Sequence, residues 1–435
     1  MVTMDTIVTM DTISISKKKA KKSKKEGQDT PHITFFPNFV VMNPITLFKQ
    51  LMCCATMAAS LSCEAQTYRY NTKFHVLASN FVETIPIEMR DHQIFVTVHV
   101  NGRPFRMLLD TGSGQGITYT NSAFPYRRIL GKIDSYDANG NMRKTDVVEF
   151  QEFRLGNIAI HGYPGTLLDS HVPHKDYDAV LGFDLFNKGL SCKIDPREGV
   201  MVLTDIPNYF EREPGFPVKY RLERWSPHIK VSPFPGCTDE ARFDTGSRRL
   251  YVMSMKSEKQ FSMLRADFSS QVEGRAFGHR AIGSFGVERA NEVAFLWLDA
   301  LEWGGFSFQD YHTMTTQGMS RVGAEVFDHG AVIIRPKQKL LVFQPYSQSI
   351  SCMVSNEQMS IAFVPKEGRA SVGLIWEGGR HYRCGFRQGD IITGVDELPI
   401  FSFAQFLTYP FIKGQEYHFR LQGVDGRERI VVSER

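Results

Sequence analysis

One tetrapeptide is written twice in this chain, as Asp110, Thr111, Gly112 and Ser113 and again as Asp244, Thr245, Gly246 and Ser247. Each copy follows an apolar stretch, residues 105–109 and 241–243, and precedes another, residues 117–119 and 250–253. Strand, tight turn, strand is the reading, with glycine supplying the backbone freedom of the turn. Each turn presents one carboxylate. Two such turns facing each other across a symmetry axis would let the two carboxylates share a proton, because like charges a few ångström apart do not both ionise cheaply.

The sequence around the copies repeats as well. Ile94, Val96, Val98 and Val100 alternate with mostly polar neighbours, turn at Asn101 and Gly102, and lead through Phe105 into the first carboxylate. Residues 132–148, centred on Asn139 and Gly140, predict a projecting hairpin with Tyr136 near its tip, a candidate flap. Val180 and Leu181 before Gly182 are placed to plug the back of the first turn. In the second half residues 228–231 lead to Asp244, residues 296–303 with Gly304 and Gly305 parallel residues 153–156, and Arg321, Val322 and Gly323 parallel 180–182. Ser320 and Arg321 depart from the pattern, standing where apolar residues would be expected. The expected class is all-β and duplicated.

On these residues the segment from about 85 to 346 resembles a two-lobed aspartic protease of the retropepsin/pepsin clan. The resemblance implies two pseudo-symmetric β-barrel lobes, residues 66–210 and 211–346, with a cleft between them. It implies that Asp110 and Asp244 polarise a water that attacks a peptide carbonyl, one as base and the other as acid. Thr111 and Thr245 would cross-link the lobes, Gly112 and Gly246 would let N–H groups approach the carboxylates, and Ser113 and Ser247 would hydrogen-bond their outer oxygens. A retropepsin needs two chains because each supplies one aspartate; this chain supplies both, so a monomer is expected. The alternative is an inactive, protease-like peptide-binding scaffold of the cell envelope.

From residue 352 to 435 the chain resembles a bacterial PDZ domain, through Gly385, Gly389, Asp390, Ile391 and Ile392. That resemblance implies a small α+β module that binds a C-terminal or internal peptide segment by adding it to a sheet edge. The groove loop would fall at Ser360, Ile361, Ala362 and Phe363, with residues 403–407 as the groove helix.

Residues 1–41 hold seven lysines and four acids, which accounts for most of the net charge of +4 and leaves no basic surface suggesting a nucleic-acid partner. This stretch reads as a disordered extension or a mis-assigned start. Residues 42–65, apolar and ending in small residues, read as a signal peptide, which makes the expected location secreted or periplasmic. Cys54 and Cys63 lack a good lipobox, so lipid anchoring is disfavoured. No apolar run after residue 65 is long enough to span a bilayer. Cys192, Cys237, Cys352 and Cys384 remain after cleavage, as thiols or disulfides. His171 and His174 read as loop residues, Asp299 and Glu302 as solvated turn acids, and neither metal nor cofactor is expected.

Overall fold

The computed structural model describes residues 72–169, 176–412 and 414–434, and the readings made for residues 1–41, residues 42–65, His171 and His174 lie outside them. The described residues are mostly β. None of their helices is long and apolar enough to cross a membrane.

One pairing pattern occurs twice. The strand Arg103–Asp110 pairs antiparallel with Gln93–Val100 and parallel with Ala179–Gly182. Ala179–Gly182 pairs antiparallel with Gly116–Tyr119, which runs parallel to Pro164–Leu168. In the second half Cys237–Phe243 pairs antiparallel with Ser226–Phe234 and parallel with Arg321–Val322. Arg321–Val322 pairs antiparallel with Tyr251–Ser254, which runs parallel to Phe306–Thr316. Leu109 faces Leu181 in the first repeat and Phe243 faces Val322 in the second. Both carboxylate turns therefore emerge at the same place in the same topology.

A six-stranded antiparallel sheet joins the repeats, in the order Phe216–Glu223, Leu340–Pro345, Gly330–Arg335, Ser191–Asp195, Val200–Thr204, Val82–Arg90. Strand alternation sorts the side chains beneath each turn. Met107, Leu109 and Leu181, and likewise Ala241, Phe243 and Val322, enter the main core with Phe150, Trp303 and Phe343. Leu108 and Val180 face the other way, with Asp110, and join a small separate cluster with Phe95, Ile117, Tyr119, Leu168 and Phe285.

The C-terminal residues form a second sheet ordered Ile361–Lys366, Arg369–Ile375, Ile391–Val395, Glu416–Gln422, Glu428–Glu434. Its own core contains Phe363, Phe386, Phe403, Phe406 and Phe419. The expected helix at residues 403–407 is present, opened by a capping box between Ser402 and Gln405. Ala362, Leu374 and Met359 pack with Val293, Phe295 and Met314 of the preceding body. Trp376 stacks on Phe295 with 5.7 Å between ring centroids, and the His279 N–H donates to Gly373 O at 2.8 Å. Replacing Trp376 by alanine removes most of the aromatic area from this junction. Limited proteolysis between residues 354 and 360 is expected to accelerate several-fold in Trp376→Ala, with the circular dichroism of the body unchanged.

Two expectations are corrected and one left open is resolved. The hairpin built on Tyr126–Tyr136 and Met142–Phe150 does not project freely into solvent: Asp137 and Ala138 at its tip are fully buried, and Gly140 is exposed. The Asp137 carboxylate accepts N–H bonds from Asn139, Asn141 and, at 3.2 Å, from Phe285 in the second half, so the polar tip is satisfied within the protein. Asp299 and Glu302 are exposed but belong to the strand Asn291–Trp303 rather than to a turn, and Asp299 accepts from Gln271. The four cysteines at 192, 237, 352 and 384, for which both states were open, are all thiols.

Candidate active site

The two Asp-Thr-Gly-Ser turns meet. A Cβ added to Gly112 would stand 2.4 Å from Asp244 Cγ and Oδ1, and one added to Gly246 would stand 2.7 Å from Asp110 Cγ. Each glycine is therefore required by the other turn's carboxylate, a closer constraint than the turn flexibility read from the sequence. Behind them the threonines interlock. Thr111 Oγ1 donates to Phe243 O at 2.8 Å and accepts from Thr245 N at 3.0 Å, while Thr245 Oγ1 donates to Leu109 O at 2.6 Å and accepts from Thr111 N at 3.0 Å. Four buried hydrogen bonds thus fix the separation of the two acids.

Each aspartate is held in its own turn by two backbone donors. Gly112 N and Ser113 N donate to Asp110 Oδ1, at 2.9 and 3.1 Å, and Gly246 N and Ser247 N donate to Asp244 Oδ1, both at 3.1 Å. The serine hydroxyls do not have the role expected of them. Ser113 Oγ donates to Gln115 O at 2.6 Å, and no bond from Ser247 Oγ to a carboxylate oxygen is formed. The serines serve the acids through their main-chain N–H groups instead.

Burial, and then the neighbouring charge of Asp244, raise the Asp110 carboxyl well above the usual carboxylate range. Asp244 is also raised by burial, but Arg321 and Arg242 oppose the rise. The pair titrates as a unit, its two carboxyls close enough to share one proton. Such a unit offers an acid and a base at one point. Removing Arg321 should raise Asp244 further, so the base form would be lost at a higher pH. The acidic limb of a kcat/KM profile is expected to move to higher pH in Arg321→Val, while Arg321→Lys stays near the parent.

The glycines at 182 and 323 are as constrained as those of the two aspartate turns. A Cβ on Gly182 would lie 2.6 Å from the Gln115 carbonyl, and one on Gly323 would lie 2.3 Å from Ser247 O. Two residues further on stand Asp184 and Glu325, which sequence reasoning missed. Asp184 accepts from the Gly116 N–H and from the Tyr163 hydroxyl, and Glu325 Oε2 accepts from Leu250 N at 2.7 Å. Gly116 and Leu250 each follow their aspartate by six residues, so the matched offsets were a usable signal. Arg242 was also missed, and Arg321 was read only as a departure from the apolar pattern before Val322.

Tyr136 ends its strand half-buried, and the Arg224 guanidinium lies over its ring at 5.5 Å. Arg224 O in turn faces Gly114, where an added Cβ would meet it at 2.5 Å. The hairpin is thereby linked to the segment just after the first aspartate turn. Ser360, Ile361, Ala362 and Phe363 are all buried. Ser360 Oγ and His381 Nδ1 are 2.6 Å apart, and residues 361–366 form an edge strand of the C-terminal sheet.

Against this geometry stand the comparisons with known proteins. Residues 96–185 match the aspartyl protease family model. That stretch contains the first aspartate turn, its lead-in strand and its plug glycine, and it supports an aspartyl protease. Among solved structures the aspartic proteinase from Irpex lacteus is similar, with a TM-score of 0.40 at 10% identity over 61% of this chain and 98% of that one. No curated protein gives a match.

Proposed function

We propose that this protein is an aspartic endopeptidase whose catalytic pair, Asp110 and Asp244, is completed within one chain. The observation that carries the reading is the mutual approach of the turns, in which each glycine abuts the opposite carboxylate. In the reaction a water lies between the acids. Asp244 removes a proton from it as its oxygen bonds to the peptide carbonyl carbon, and Asp110 gives its proton to the carbonyl oxygen. The tetrahedral intermediate then collapses: its C–N bond breaks, the nitrogen takes the proton held by Asp244, and a hydroxyl proton returns to Asp110. Water is consumed, and an acid and an amine are formed.

The two repeats act as lobes enclosing the substrate, and the hairpin bearing Tyr136 and Asp137 acts as its cover. The C-terminal sheet, with its edge strand at residues 361–366, is a PDZ-like docking module for a substrate or partner segment. Secretion through the segment at 42–65 and action as a monomer complete the proposal. Mass-spectrometric cleavage of a peptide library tests it. Wild type should cut at defined bonds, and a library left intact from acidic to neutral pH would favour the scaffold alternative.

A further inference from the structure

Each repeat carries a hairpin at the same place in its topology. Tyr126–Tyr136 and Met142–Phe150 form the first, and Val272–Gly278 and Asn291–Trp303 form the second. In both, the returning strand pairs antiparallel with the strand that runs parallel to the one after the aspartate turn. The second hairpin has the longer tip, residues 279–290. It folds into a small hairpin of its own, with Ile282 opposite Val287, Gly283 opposite Gly286, and Ser284 and Phe285 at the turn.

This tip is held on three sides. Ile282 lies in the core of the C-terminal sheet, and Val287 packs against that core. Phe285 instead joins the apolar cluster of Leu108, Val180 and Tyr119, whose first two members share the strand face of Asp110. The tip of the first hairpin supplies the third contact. Asp137 Oδ2 accepts from Phe285 N at 3.2 Å, and Arg143 Nη2 donates to Phe285 O at 3.2 Å. A Cβ on Gly283 would stand 2.3 Å from Asp137 Oδ2, so the two tips touch backbone to side chain with no room between them. The root of the loop is fastened to the C-terminal sheet as well: a Cβ on Gly278 would lie 2.3 Å from Gly373 O, and Gln388 Nε2 donates to Phe277 O at 2.9 Å.

Asp110 and Asp244 have no exposed surface in this arrangement. A peptide reaches them only after the two tips part. Parting takes Phe285 out of its apolar cluster and breaks both of its main-chain bonds to the first hairpin. The C-terminal sheet opposes the movement, because Ile282 and Val287 would have to leave its core or pull it along. Contacts made in the closed state and lost in the open one are what set the balance between the two.

We propose that residues 279–290 are an autoinhibitory latch through which the C-terminal sheet keeps the dyad covered, with Phe285 in the place of a substrate's apolar side chain and Ile282 and Val287 as the anchor. This inference rests on the endopeptidase reading and adds its regulation: loosening the C-terminal sheet from the body releases cleavage.

The test pairs cleavage of a peptide library with hydrogen exchange, both on the full chain. Ile282→Ala with Val287→Ala truncates the anchor and leaves the dyad turns and Phe285 intact, and kcat/KM should rise about tenfold as the competent fraction grows. Amides of residues 281–288 and 137–141 should exchange several-fold faster together, while those of the six-stranded sheet joining the repeats stay unchanged, which separates release of the latch from unfolding. Trp376→Ala loosens the same junction away from the loop and should act in the same direction. Faster exchange with unchanged or reduced cleavage overturns the latch, since the loop would then complete the site rather than block it. Faster exchange confined to residues 281–288 overturns the coupling between the tips. Cleavage by wild type with no gain in either variant overturns the latch alone, and no cleavage by any of the three overturns the endopeptidase reading and the latch with it.

Discussion

Asp110→Asn and Asp244→Asn are each expected to reduce peptide cleavage by about 10²- to 10⁴-fold, the range carried by a positioned acid or base. Asparagine has nearly the same shape, and its amide oxygen can still accept from the turn N–H groups that now bind Oδ1 of each aspartate. The fold should therefore survive, with a thermal midpoint within a few degrees of the parent. Removing either charge also relieves the repulsion that raises Asp110, so a modest gain in stability would accord with the coupling of the pair. Sign matters here. Asp110 is raised by burial and by Asp244, so its folded form binds the proton more tightly than the unfolded chain, and the resulting stability is present at low pH and lost as pH rises. Asp110→Asn should flatten that dependence. Cleavage rates and thermal midpoints across pH, measured on the same preparations, check both parts. Loss of activity together with loss of fold would point to structural acids instead.

Gly112→Ala carries the second large effect. The new methyl would lie 2.4 Å from Asp244 Cγ and Oδ1, far inside van der Waals contact. Backbone and carboxylate must both move, and the four threonine bonds that hold the turns together oppose the movement. Overpacking of this kind costs about 1–3 kcal/mol. Activity should fall below detection even where the protein remains folded, since a shift of about 1 Å at reacting groups costs two orders of magnitude. Gly140→Ala, at the tip of the hairpin where nothing lies within 4 Å but φ is +77°, is the contrasting case: it strains one turn and leaves the acids alone, so most activity should persist. Urea unfolding curves and cleavage rates for the two variants separate the effects.

The aspartate turns and their plugs were legible because they depend on short-range sequence: an apolar strand, a polar turn, an apolar strand, written twice at one spacing. The threonine interlock followed from the same motif. What escaped were side chains whose surroundings are built by distant residues. Arg242 and Arg321 lie far apart in sequence, and only the parallel pairing of their strands makes them neighbours. Asp137, Asn139 and Gly140 have the composition of a solvent-facing turn, yet only Gly140 is exposed, because Asp137 accepts N–H groups from its own turn and from Phe285 in the other half. The serine hydroxyls were misassigned for a local reason: in so tight a turn the main-chain N–H of Ser113 reaches Asp110 Oδ1 first, and its hydroxyl turns to Gln115 O. In the C-terminal sheet the strands and the capped helix at 403–407 were readable, whereas the burial of Ala362 against Phe295 depends on packing that sequence spacing does not encode.

The central claim is that both acids of the working pair belong to the same chain, and mixing the two single variants tests it most directly. Wild type should cleave at a rate proportional to its concentration, and an equimolar mixture of Asp110→Asn with Asp244→Asn, co-refolded, should stay as inactive as either alone. Recovery of a substantial fraction of wild-type cleavage in the mixture would show that acids from different chains meet, and would contradict the account.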